Sequence, residues 1–428
     1  MKRMVLMIVL VLVVAPLVWL APQFMAEDVS SKAVSSADPV QQVEHGSYLA
    51  QAGNCIACHT VRGGEPYAGG RGIVTPFGTL YASNITPDEE TGIGSWTADD
   101  FWRAMHHGKS KDGSFLYPAF PYPNYTKVTR ADSDALYAYF RTVEPVKQEN
   151  REHDLRFPYN QRALLAVWRA LYFTPGEYQP DTNQSVDWNR GAYLVQGLGH
   201  CNACHTTRNA LGGIDERLDL AGAVIPVLDW YAPPLAGSGD GSVDNAAAAQ
   251  QLASLLKTGV SDHSAVYGPM AEVVRHSLQH MSDSDIQSMV SYLQSLPPQS
   301  ASRASPSVSA RRSEAEGLLR LGATIYKDQC IACHKEDGRG VPRAYPALAG
   351  NPSVTQEVVI NPIRMILHGG YPPSTGGNPQ PYGMPPFSAL LNDEEVAAVV
   401  SYIRNTWGNQ ASVISPLEVG RYRTVPLD

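Results

Sequence analysis

Apolar and polar positions change rhythm along this chain. From Met4 to Ala26 there is no charged residue and most side chains are apolar, directly after Lys2 and Arg3. That pattern is an export signal or a membrane span. Aromatic residues occupy the −3 position at Trp19/Ala21 and Phe24/Ala26, so no A-x-A-like cleavage site follows closely. The run reads better as an uncleaved anchor than as a cleaved signal peptide. The positive-inside rule puts Lys2 and Arg3 in the cytoplasm and the rest of the chain across the membrane.

Beyond the run, amphipathic segments recur in threes. TRADSDALYAYFR, SDSDIQSMVSYLQ and NDEEVAAVVSYIR each start at a capping residue, Thr129, Ser282 or Asn392. Asp132, Asp285 or Glu395 follows three positions later, as in a capping box. A tyrosine recurs at one spacing, as Tyr139, Tyr292 and Tyr402. Upstream of each lies another helix-like stretch with an internal glycine, Gly46, Gly191 or Gly322. Glycine costs a helix about 1 kcal/mol against alanine, so its presence predicts a close helix crossing. The expected unit is all-α: an N-terminal helix, loops, and a C-terminal helix packed across it.

The six cysteines fall between these helices, in CIACH (Cys55, Cys58, His59), CNACH (Cys201, Cys204, His205) and CIACH (Cys330, Cys333, His334). Two thiols on one turn can add to the two vinyl groups of a haem, and the adjacent histidine then lies under the iron. A redox disulfide needs no following histidine. Zinc needs a fourth ligand that none of the motifs supplies nearby. The spacing predicts three covalently bound haem c groups.

Such irons often take methionine on the far side. PYGMPPF offers Met384 and VYGPMAEV offers Met270 before the respective C-terminal helices. Met281 abuts a cap, and Met289 and Met365 fall in helix-like apolar patterns that suit core. In the first unit the matching loop is YPAFPYPNY, so Phe120 stands where a ligand is expected. A phenyl ring cannot bind iron. The helix after Thr97 carries Met105, His106 and His107, read as core for the methionine and as solvent or propionate contacts for the histidines. The first iron is therefore expected to be open, or to borrow Met105. Pro346 is the candidate carbonyl partner of His334. The glycine-rich stretch 63–72 reads as loop around the haem edge rather than a phosphate cradle.

The boundaries follow: 1–26 signal or anchor, 40–150 first unit, 151–184 connecting segment with a helix, 185–298 second unit, 299–312 a Pro/Ser/Ala-rich tether, 313–408 third unit, 409–428 tail. The helix within 163–173 is expected to pack on its own domains, because Arg162 and Arg169 make a thin basic face for a membrane surface. Over 428 residues the chain is 43% hydrophobic and 17% charged, which suits globular domains. A net charge of −8 argues against nucleic acid.

The strings GGRGIVTPFGTLYASNITPDEETGIGSW, FWRAMHHGKSKDGSFLYPAFPY and WNRGAYLVQGLGHCNACHT resemble the three-haem cytochrome c subunits of bacterial membrane-bound dehydrogenases. Those serve quinoprotein alcohol dehydrogenases and flavin-linked gluconate, sorbitol and fructose dehydrogenases. Members of that group typically read PAMPY where this chain has PAFPY. The Phe form is similar to cytochromes that accompany periplasmic molybdenum hydroxylases. The resemblance implies three tandem cytochrome c domains on the periplasmic side of the bacterial inner membrane. It implies electron transfer from a catalytic dehydrogenase subunit of molybdenum, quinoprotein or flavoprotein type to ubiquinone or a terminal oxidase. A peroxidase-like enzyme using an open first haem and a free-standing shuttle cytochrome are the competing readings.

Overall fold

The computed structural model describes residues 23–24, 38–236, 245–297 and 312–424. Apart from Gln23, Phe24 and Arg312, the apolar N-terminal run and the tether 299–312 lie outside the described residues. Among the described residues no helix is long and apolar enough to cross a membrane.

The chain divides into two compact units. One comprises residues 1–183, 193–203 and 208–214, the other 184–192, 204–207 and 215–428. In chain order the helices used below are α1 (Pro39–Ala52), α2 (Cys55–His59), α3 (Ala98–His107), α4 (Arg130–Phe140), α5 (Leu165–Tyr172), α6 (Val186–Gln196), α7 (Asn202–His205), α8 (Asn245–Thr258), α9 (Pro269–His276), α10 (Asp283–Ser295), α11 (Arg312–Gln329), α12 (Ile331–His334), α13 (Ile360–His368), α14 (Asp393–Ile403) and α15 (Pro416–Arg423).

The predicted caps form. Thr129, Ser282 and Asn392 accept from the backbone N–H of Asp132, Asp285 and Glu395, and Asn392 with Glu395 completes a full capping box. The predicted glycine crossings form too. A Cβ on Gly46 of α1 would stand 1.9 Å from the Ala135 carbonyl oxygen of α4. On Gly191 it would stand 1.9 Å from the Ser288 oxygen of α10, and on Gly322 of α11 2.2 Å from the Ala398 oxygen of α14. Side chains cannot enter these crossings, so the paired backbones touch. In the first unit the crossing encloses Leu49, Leu136 and Phe140, all at most 2% exposed. In the second unit α11 and α14 enclose Ile363, Leu367 and Val396 to Val400.

The all-α expectation needs amendment. β1 (Gly72–Thr75), β2 (Gly78–Tyr81) and β3 (Asp154–Leu155) form a small antiparallel sheet, and β4 (Ala223–Ile225) pairs with β5 (Trp230–Ala232). The turn Thr75-Pro-Phe-Gly78 closes the first hairpin. The Thr75 hydroxyl donates to the Gly78 carbonyl (2.7 Å), and Gly78 takes φ 129°. β1 and β2 lie in the loop after the first CxxCH motif, β4 and β5 in the loop after the second, and β3 in the connecting segment, each too short to show apolar alternation.

Within the second unit, the regions around the second and third motifs pack together. Asn361 of α13 bonds both backbone groups of Tyr231 (2.9 and 2.8 Å). The buried Arg364 guanidinium lies 4.8 Å from the Trp230 ring centre.

Candidate haem sites

The histidine of each CxxCH motif ends a single short helix, and none of the six cysteines forms a disulfide. Burial, then the neighbouring Cys58, pushes the Cys55 thiol up to about 12, and burial likewise lifts Cys330 to about 11. These sulfurs are held neutral on an apolar wall.

The three histidines are oriented alike. His59 Nδ1 lies 2.7 Å from the Ser83 carbonyl, His205 Nδ1 2.6 Å from that of Pro233, and His334 Nδ1 3.0 Å from that of Pro346. A carbonyl only accepts, so Nδ1 carries the proton and the Nε2 lone pair is left for a metal. Burial holds all three imidazoles below their usual range, against the opposing pull of the carbonyl. Neutral imidazole is the ligand form. The Pro346 partner was foreseen; Ser83 and Pro233 were not.

A second repeated device escaped the sequence reading. The N–H groups of Gly69, Gly222 and Gly340 donate to the carbonyls of His59, His205 and His334 (2.8, 2.8 and 3.0 Å). All three glycines have positive φ, at 80°, 87° and 64°. A Cβ on Gly69 would lie 2.5 Å from the Ser83 carbonyl carbon, and on Gly340 2.8 Å from the Pro346 oxygen. The glycine therefore lets the chain that fixes Nδ1 close directly over the histidine. A basic side chain also holds the alanine carbonyl of each motif: Arg71 on Ala57, Arg208 on Ala203 and Lys335 on Ala332. No fixed spacing from the motif marks any of these residues.

Two of the far-side candidates, Phe120 and Met270, fall on one backbone register. α3, α8 and α13 end at Gly108, Gly259 and Gly369, whose N–H groups bond Ala104, Leu255 and Met365. Leu116 N–H then donates to Gly108 O (2.8 Å) and Val266 N–H to Gly259 O (2.9 Å). Phe120 follows Leu116 by four residues, as Met270 follows Val266. Met384 itself pairs with Gly370 (2.8 and 3.0 Å). Met384 packs on the same apolar cluster as Cys330 and Ile331, and Phe120 on the same cluster as Cys55 and Ile56. Phe120 also meets Tyr125 edge-on, with ring centres 5.1 Å apart.

Met105 is 5% exposed and sits one residue after Ala104 on α3. The same helical position holds Leu256 and Ile366, both buried. Met281 and Met289 are core side chains at 2% exposure. Of the two placements expected for His106, solvent or a propionate contact, the first does not hold, because the side chain is buried. It stacks on Trp102 (4.2 Å), and burial, with His107 beside it, lowers its pKa to about 4. His368, the counterpart of His107, donates from Nε2 to the Tyr422 carbonyl of α15 (3.0 Å). The stretch 63–72 is a loop beside the first motif, carrying the Gly69 contact and ending where β1 begins.

These donor sets fit haem c: paired thiols on one turn, a neutral imidazole with Nε2 unused, and an apolar wall. A family model, "Cytochrome c", matches residues 43–144, 189–297 and 319–407. The chain belongs to the cytochrome c family. It is 42% identical over 385 residues to the gluconate 2-dehydrogenase cytochrome c subunit of Pantoea cypripedii, covering 86% of each chain. It is 40% identical to the cytochrome c subunit of the quinone alcohol dehydrogenase of Gluconacetobacter polyoxogenes, over 86% of this cytochrome and 81% of the relative. Against a nicotinate dehydrogenase subunit of Pseudomonas putida the identity is 43%, over 85% of this cytochrome and 30% of that longer protein.

Proposed function

We propose that this cytochrome carries three haem c groups and is the electron-transfer subunit of a periplasmic dehydrogenase complex. The observation that carries the reading is the threefold repeat of one histidine geometry, each beside its own cysteine pair. Cys55 with Cys58, Cys201 with Cys204, and Cys330 with Cys333 would form the thioether links. His59, His205 and His334 would bind the irons, with Met270 and Met384 opposite the second and third. Bound haem c supplies one-electron exchange between ferric and ferrous iron. The protein's part is to hold each imidazole rigid and neutral in apolar surroundings. Phe120 gives the first site an apolar cover without a ligand, so that site is open to small molecules.

The domain order is the one read from the sequence, with tandem units at 40–150, 185–298 and 313–408. The partner is a catalytic subunit of molybdenum, quinoprotein or flavoprotein type, and the acceptor is ubiquinone or a terminal oxidase. The names of the relatives support a dehydrogenase partner, and one of them points to an N-heterocyclic acid. The run Met4 to Ala26 anchors the chain on the periplasmic side of the inner membrane.

Gentle purification from native membranes tests this reading. A stoichiometric partner with molybdenum, flavin or pyrroloquinoline quinone, and three haems per chain by the pyridine haemochrome spectrum, is the expected result. A chain that purifies alone and turns over peroxide would favour the second reading, an enzyme at the open first haem, for which Phe120 is the specific observation.

A further inference from the structure

The connecting segment was expected to pack on its own domain, and one face of α5 does. Leu165, Ala166 and Arg169 are buried, and the Arg169 guanidinium lies among the rings of Phe115, Tyr122 and Phe173 at 5.0, 5.4 and 4.8 Å. The other face is apolar and uncovered. Leu164, Val167 and Leu171 are 49%, 38% and 52% exposed, at the spacing that aligns side chains on one helical stripe. Trp168 lies in the same stripe and donates from Nε1 to the Leu211 carbonyl (2.9 Å), and Leu211 is half exposed. Neighbouring aromatic rings extend the patch. A Cβ on Gly212 would stand 3.1 Å from the Phe77 ring, which lies 4.6 Å from that of Tyr159, and nearby in sequence Phe157 is 80% exposed.

Two further observations say what covers it. Gln23 and Phe24, from the end of the uncharged run, lie at this place. Arg169 Nε donates to Gln23 Oε1 (3.2 Å), and the Phe24 ring meets Phe115 edge-on at 5.4 Å. Between Asp154 and Glu177 the charged residues are all basic. Residues 155–176 include Arg156, Arg162 and Arg169 but no Asp or Glu, in a chain of net charge −8. Arg162, at the start of the segment leading into α5, and Arg156, beside Phe77, are exposed.

We propose that α5 and the Phe157–Tyr159 corner lie in the surface of a bilayer containing anionic phospholipid. The stripe would sit at the acyl boundary, the aromatic rings at the headgroup level, and Arg156 and Arg162 on phosphates. The inference rests on the anchor reading above, because Gln23 and Phe24 tie α5 to the end of that anchor. The first unit is thereby held against the membrane by two adjacent contacts rather than swinging from one.

The test uses the full haem-loaded chain in vesicles of phosphatidylethanolamine and phosphatidylglycerol. Leu164→Cys, Val167→Cys and Leu171→Cys each receive a nitroxide label, with Val186→Cys, 85% exposed in the native chain, as the aqueous control. The expected result is mobile labels on the stripe that collide with oxygen and lose collisions with a water-soluble nickel chelate, while the label at Val186 keeps both. Labels shielded but immobilised, as under a protein partner, would overturn the proposal. So would stripe labels as open to nickel as the control in a chain that stays with the vesicles through an alkaline carbonate wash. A chain stripped by that wash overturns the anchor reading, and this inference with it.

Discussion

The first and second haem sites repeat the same hydrogen bonds around the histidine and on the loop beyond it, and differ in the side chain that loop presents. Each has a CxxCH turn, a histidine fixed to a carbonyl, a positive-φ glycine over that histidine, and a helix ending in glycine. From that glycine the loop returns by the same hydrogen bond, Leu116 to Gly108 or Val266 to Gly259, and four residues later presents Phe120 or Met270. The third site reaches the same end by a different route, pairing Met384 itself to Gly370. The lesson is that the scaffold which holds the imidazole is independent of the residue opposite it. The side chain at this loop position can change from Met to Phe while the hydrogen-bonded frame is kept.

Exchanging the side chains breaks this comparison most directly. Phe120→Met should close the first iron, abolishing carbon monoxide binding there and adding the red charge-transfer band of an iron–thioether bond. Met270→Phe should do the reverse at the second site and raise carbon monoxide uptake by one equivalent. Its haem should also fall in potential, because methionine ligation raises it. Redox titration and carbon monoxide difference spectra check both.

Met105 separates the open site from a borrowed ligand. Its position matches the buried Leu256 and Ile366, so Met105→Ala should behave as a core truncation. A loss of about 2–5 kcal/mol in denaturant unfolding is expected, with the haem spectrum unchanged at native conditions. A spectral change at the first haem would make Met105 its ligand.

The glycine crossings should be equally demanding in both units. Gly46→Ala and Gly191→Ala each place a methyl group 1.9 Å from a carbonyl oxygen. Each should cost on the order of 3 kcal/mol, since two packed helices must separate. Thermal unfolding of the haem-loaded chain measures this.

A smaller effect is specific to the first unit. Burial disfavours the charge on Asp100, yet the Thr97 donors and Arg103 outweigh it and hold the carboxyl below its usual range. A folded pKa below the unfolded value, about 3.9, gives stability that is present above that pH and lost as pH falls through the folded value. Asp100→Asn should therefore flatten the acid limb of the stability curve below about pH 4. Urea unfolding at a series of pH values would show the change in slope.

Much of this arrangement was legible in the sequence, because it is carried by side chains that have few substitutes. A capping residue must be short and polar, a helix crossing this close admits only glycine, and a haem turn needs its two cysteines and histidine. Pro346 could be named because it lies only 12 residues from His334. Ser83 and Pro233 lie 24 and 28 residues from their histidines and act through backbone oxygen, which any residue supplies. Gly69 and Gly222 were hidden for the same reason, since the loops that carry them differ in length. The short strands lacked the apolar alternation that marks a sheet. The burial of His106 was not legible because it depends on Trp102 stacking from the same helix, which a histidine's polarity does not advertise.

The account turns on the first site being open behind Phe120. Carbon monoxide titration of the fully reduced, natively purified cytochrome tests that claim most directly. One equivalent bound per three haems, and none in Phe120→Met, is the predicted result. No binding to the native protein would contradict it and require a sixth ligand that Phe120 does not supply.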